Sequence, residues 1–93
     1  MALIKVENNE YKLIKNYRDG FDEDMFKERY TSYFEEYDYI VGDIAYSKLR
    51  LKGFYGEKNK NKNSINDYKN VNKYIKENCA FDCKYFILEK VKE

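Results

Sequence analysis

Apolar and polar residues alternate along the first seventeen positions, on either side of Asn8-Asn9. That period of two predicts a β-hairpin from Met1 to Tyr17. Adjacent asparagines tolerate the positive φ angles of a tight turn, so Asn8-Asn9 is the expected turn. Val6 then lies opposite Tyr11 and Ile4 opposite Leu13, and all four share a face. Asp19-Gly20 marks a second turn. The period then changes. Phe26, Tyr30, Tyr33 and Tyr37 recur at helical spacing, with Asp24, Glu28 and Glu35 on the other side, which predicts a helix over 21–37. Asp22 is its expected N-cap, and Phe21 and Phe26 have the spacing of a hydrophobic staple. Tyr39 to Tyr55 returns to a period of two and reads as a second hairpin, with Ile44 to Ser47 as the connection. Leu49 and Leu51 fall on one face of it, Arg50 and Lys52 on the other. Gly53 near the strand end suggests a bulge or a close backbone approach.

Tyr55 to Asn63 has no periodicity and few apolar groups, so 55–63 is expected to be a mobile, basic loop. Ser64 to Asn78 predicts a second helix. Ser64 and Asp67 have capping-box-like spacing, and Ile65, Tyr68, Val71, Ile75 and Cys79 follow the helical period. Lys69, Lys73 and Lys76 run along its flank, and Lys62 extends that stripe into the loop. Residues 82–91 predict the last strand. Its Tyr85-Phe86-Ile87-Leu88 run is apolar on both faces, as in a strand that lies mid-sheet, here between the two hairpins. The order is ββαββαβ. This predicts the α+β class: a single domain over 1–93, with a mainly antiparallel five-stranded sheet packed with two helices.

Composition narrows the function. A chain of 93 residues is one domain's worth of sequence. Its 43% hydrophobic content supports a core, and its 38% charged content demands a densely charged surface. The absence of histidine excludes Ser-His-Asp and Cys-His nucleophiles and His-ligated metals. Gly20, Gly42, Gly53 and Gly56 are too scattered for a phosphate-binding loop. Neither an enzyme, a cofactor nor a metal is expected. Cys79 and Cys83 supply half a tetrahedral zinc site, and C-x-x-x-C is not the C-x-x-C of a redox pair. They are expected as reduced, buried apolar thiols. Residues 1–25 lack a signal-peptide core, and no stretch approaches the ~20 apolar residues of a membrane span. A cytoplasmic protein is expected, with no membrane partner.

The net charge of +1 hides an asymmetry. Residues 1–46 carry a net −5 and residues 47–93 a net +6. Within 48–76 there are nine bases against two acids, Glu57 and Asp67. Mutual attraction between the halves is one reading of this, and an anionic partner on the basic side is the other. The candidate binding surface comprises Asp43, Tyr46, Lys48, Arg50, Lys52, Lys58, Lys60, Lys62, Lys69, Lys73, Tyr74 and Lys76. Asp43 follows Gly42 at a strand end. Asp38, Asp43, Arg50 and Lys52 lie on or beside paired strands and suit a binding patch or a cross-strand ion pair. Tyr46, Tyr55 and Tyr74 lie among the bases. Tyr74 falls away from the apolar stripe and is expected on the surface. Lysines with interleaved tyrosines suit single-stranded RNA, but no RNA-binding signature accompanies them.

The segments FKERYTSYFEEYDYIVGDIAYSKLRLKGF and CAFDCKYFILEKVK resemble the YutD-like family, small proteins of low-GC Gram-positive bacteria. The resemblance implies a single-domain cytoplasmic protein of unassigned function, with no catalytic or binding residues to carry over. The expected function is that of a small non-enzymatic binding or accessory protein with a protein partner. The alternative is an RNA-binding protein that uses the basic 48–76 segment.

Overall fold

A computed structural model describes residues 2–78 and 83–91. Five strands form one antiparallel sheet: β1 (Leu3–Val6), β2 (Asn9–Tyr17), β3 (Tyr39–Ala45), β4 (Lys48–Phe54) and β5 (Lys84–Lys90). Their order is β1-β2-β5-β3-β4, so the strand latest in sequence joins the two hairpins, as its two apolar faces predict. Helix α1 (Glu23–Arg29) and a 3-10 turn at Ser32–Glu36 pack on one face, and helix α2 (Val71–Asn78) on the other. Two apolar cores result. Ile4, Tyr11, Phe26, Tyr30, Ile40, Phe86 and Leu88 belong to the α1 side. Val41, Phe54, Val71 and Ile87 belong to the α2 side.

The first hairpin is shifted from its expected register. Ile4 pairs with Tyr11 and Lys5 with Glu10, and the turn is Glu7-Asn8, with Glu7 at φ 53°. The Asn8-Asn9 turn would set Lys5 against Lys12, whereas the observed register sets Lys5 against an acid. Ile4, Val6, Tyr11 and Leu13 still face the same core.

The helix expected over 21–37 is two pieces. Asp22 caps α1 by accepting from the Met25 N–H at 3.1 Å, and the rings of Phe21 and Phe26 are 6.0 Å apart. The helix stops at Tyr30, where Tyr30 and Thr31 turn extended (ψ 137° and 167°). Branched Thr31 is a poor helix former, and the break rephases the chain. Phe34 becomes buried in place of Tyr33, which is exposed. The second helix also starts later than expected. Asp67 caps a 3-10 turn at Tyr68–Asn70 by accepting from the Lys69 N–H at 3.1 Å, and α2 follows directly. Ile65 therefore lies outside the helix and is exposed rather than packed.

The second hairpin closes more tightly than the expected Ile44–Ser47 connection. Ala45 pairs with Lys48, and the turn is Tyr46-Ser47 alone. Gly53 marks a close approach: a Cβ there would meet the Tyr37 ring at 2.3 Å. In the 55–63 segment, buried Asp38 accepts from the Gly56 N–H at 2.6 Å and from Asn59 Nδ2 at 3.2 Å. Cys83 is buried as expected but is disulfide-bonded rather than a free thiol, which the C-x-x-x-C spacing did not disclose. Cys79 lies outside the described residues. No helix among the described residues is long and apolar enough to cross a membrane.

Candidate binding cleft between β4 and α2

Strand alternation places Lys48, Arg50, Lys52 and Phe54 on the α2 side of β4, the sheet's edge. Helix α2 brings Tyr74 and Lys73 over that row. The Tyr74 ring meets Phe54 edge-on, with centroids 5.4 Å apart. Burial raises the Tyr74 hydroxyl's pKa above its ordinary value, the charge of Asp43 adds to that rise, and Arg50 opposes it. The ammonium of Lys52 lies 5.3 Å from the Phe54 centroid and 5.6 Å from that of Tyr74, held by ring faces. Between these groups opens a cleft of about 440 Å³, completed by Ser64, Ile65 and Asn70 and by the C-terminal turn of α2. Glu77 lines it too, 4.0 Å from the Lys73 ammonium, so the Lys52 ammonium beside the apolar floor is what can hold an anionic group attached to an apolar one.

At the other end of the row stands an ion pair. Asp43 and Arg50 are directly opposed on β3 and β4. Arg50 Nε and Nη2 both donate to Asp43 Oδ2, the former at 3.1 Å, and Nη2 also donates to the carbonyl of Asn78 at 2.9 Å. The pair thus ties the sheet to the end of α2. Asp43 is 3% exposed, and its other oxygen, Oδ1, is buried without a hydrogen-bond partner.

The cleft gathers three of the twelve candidate residues: Lys52, Lys73 and Tyr74. Tyr74 is half-buried in the smaller core, not on the open surface where its helical phase placed it. Asp43 and Arg50 form the cross-strand pair, and Tyr46 and Lys48 occupy the exposed hairpin end. Lys62 and Lys69 both approach Asp67 at 3.9 Å, and Lys73 approaches Glu77 at 4.0 Å. Lys58, Lys60 and Lys76 are exposed and stand apart from the cleft. Lys58 instead lines a larger hollow, of about 680 Å³, where Lys12, Lys58 and Lys90 meet Asp38, Glu57 and Glu89. Opposite charges there leave little preference for either sign. Arg50, Lys62, Lys69 and Lys73 thus each approach an acid, so part of the segment's positive charge is matched within the fold. Sequence reasoning missed Phe54 and Ile65. The period-two pattern that puts Lys52 on the α2 side also puts Phe54 there, so that residue was detectable; Ile65 was not, because it fits the apolar stripe of a helix that starts later.

The pattern of the YutD-like family, described as "Putative antitoxin YutD-like", matches residues 5–89. The chain belongs to that family. It is 41% identical over 91 residues to "Putative antitoxin YutD" of Bacillus subtilis (strain 168), covering 98% of this chain and 100% of the relative. The solution NMR structure of protein yutD from Bacillus subtilis superposes with a TM-score of 0.83 at 40% identity, covering 100% of this chain and 84% of that one. The expected family and the α+β fold are both borne out. Every strand and helix that builds the cleft lies within the matched residues.

Proposed function

We propose that this chain is a small, non-enzymatic cytoplasmic protein that acts by binding another protein, and that the β4–α2 cleft is its contact site. The observation that carries the reading is the Lys52 ammonium held over the Phe54 and Tyr74 rings at the mouth of a cleft. Such a site suits an acidic side chain that neighbours an apolar one, a common pairing on protein surfaces. The name antitoxin, borne by the Bacillus subtilis relative, fits a protein that works through a partner. Lys62 and Lys69 lie toward Asp67, Lys73 toward Glu77 and Arg50 on Asp43, which disfavours a continuous phosphate track and makes RNA an outcome of the test.

The test is capture from native cells on the immobilised protein, with and without nuclease. A Lys52→Glu/Lys73→Glu variant is compared with a Lys58→Glu/Lys60→Glu control that changes charge equally away from the cleft. A protein retained through nuclease treatment, kept by the control and lost by the cleft variant, is expected. Loss on nuclease treatment would replace the reading with RNA binding, and equal capture by both variants would overturn the cleft.

A further inference from the structure

The turn that closes the β3–β4 hairpin is built from residues that such turns avoid. Two-residue hairpin turns of this kind need positive φ at both central positions, and asparagine and glycine supply it at least cost. Here Tyr46 sits at φ 55° and Ser47 at φ 64°. A bulky aromatic residue with positive φ is an outlier whose backbone cost the rest of the fold must offset. The fold gains little in return, since Tyr46 is 94% exposed, more than the other large apolar residues at the surface. The turn thus holds an aromatic ring out in water, on a strained backbone, at the closed end of the β3–β4 hairpin.

The surroundings of the tip indicate what receives it. Lys48, Arg50 and Lys52 follow on one face of β4, down to the Phe54–Tyr74 cleft, roughly 20 Å from Lys48 to Phe54 at about 3.3 Å per residue. That length is comparable with one side of an ordinary protein–protein interface. Tyrosine is enriched among the residues that dominate such interfaces. Asp43 already matches Arg50, and Lys52 lies against the Phe54 and Tyr74 rings, so the exposed Lys48, two residues from Tyr46, is the cation that calls for an acid at the pocket's rim.

We propose that Tyr46 is a partner anchor: its ring inserts into an apolar pocket, rimmed by acidic groups, on the protein that the cleft also contacts. This rests on the reading that the partner is a protein.

The test separates the two. A photo-crosslinking amino acid is placed at position 46, at position 65 on the wall of the cleft, where an exposed apolar residue is replaced by another apolar group, and at position 33 on the α1 side, in the full chain in native cells. One protein adduct, identified by mass spectrometry as common to positions 46 and 65 and absent at 33, is expected. An adduct at 65 without one at 46 overturns the anchor and keeps the protein-binding reading; no protein adduct at either overturns both. In parallel, Tyr46→Asn/Ser47→Gly relieves the turn. Its unfolding midpoint should rise while its capture of the crosslinked protein falls by about tenfold or more. Undiminished capture by this stabilised variant would overturn the proposal.

Discussion

Gly42 and Phe86 face each other across β3 and β5, and the Phe86 ring occupies the space a side chain on Gly42 would need. A Cβ there would lie 2.2 Å from Phe86 Cζ. Gly42→Ala is expected to cost about 1–3 kcal/mol by overpacking. In a Phe86→Leu background the added cost should shrink, because the clashing ring is gone. A double-mutant cycle on denaturant midpoints measures this, and strict additivity would locate the strain elsewhere.

The Asp43–Arg50 pair is lopsided: the side chains are 4% and 52% exposed. Arg50→Ala leaves a buried carboxylate without its cation, and breaking a buried pair in this way costs about 3–5 kcal/mol. Asp43→Ala leaves a guanidinium that already reaches water, so its cost should be clearly smaller. Arg50→Lys should fall between wild type and Arg50→Ala, because an ammonium cannot reproduce the two-pronged contact. Chemical unfolding of the three variants gives the ranking. Equal losses for Arg50→Ala and Asp43→Ala would contradict it.

Leu88 and Ile87 point to opposite faces of β5 and are 0% and 4% exposed. Leu88→Ala should cost about 2–5 kcal/mol. Ile87→Ala should fall in the same range, because the smaller core buries it almost as completely. A loss below ~1 kcal/mol in either variant would mean that one face collapses without penalty.

Stability should fall in alkali. Burial, and then the charge of Glu89 beside it, push the Tyr39 hydroxyl from 10.0 up to about 12. The folded state favours the neutral phenol, so this contribution is whole below pH 10 and is lost as pH rises through about 12. Tyr39→Phe cannot ionise and should give a shallower decline over that window. Denaturant midpoints against pH, followed with tyrosinate absorbance, test this. Parallel curves for the two proteins would exclude Tyr39 as the cause.

The 55–63 segment should move unevenly. Gly56 and Asn59 are tied to Asp38, whereas Lys58 and Lys60 project outward. NMR heteronuclear relaxation should show larger fast motion at Lys58 and Lys60 than at Gly56 and Asn59. Asp38→Ala should remove that contrast. Uniform rigidity across the segment, matching the strands, would refute it.

Strand content and order were legible because period-two alternation, and its loss in Tyr85–Leu88, report directly on which faces are covered. Register in the first hairpin was less so. Asn8-Asn9 is the better turn by local preference, whereas the observed register sets Lys5 opposite Glu10 and closes on Glu7-Asn8. The break at Tyr30-Thr31 was hidden because Tyr33 and Phe34 are adjacent and both aromatic, so either phase yields an apolar stripe. The cleft was half visible. Composition reveals lysines among tyrosines; it does not reveal that Asp67 draws two of those lysines aside or that Phe54 makes the floor under Tyr74.

The placement of β5 governs how the molecule comes together. Until residues 84–90 are available, the β1–β2 and β3–β4 hairpins have no strand to share, and the inner borders of β2 and β3 both stand open. Each hairpin alone is marginal in water. Assembly therefore awaits a segment far along the chain from the first hairpin, which favours slow, all-or-none closure. A chain released before Lys84 would expose two hydrogen-bonding borders at once. The β5 strand of a neighbouring complete copy would fit the same slot, so a half-made chain is set to accept a strand from another molecule.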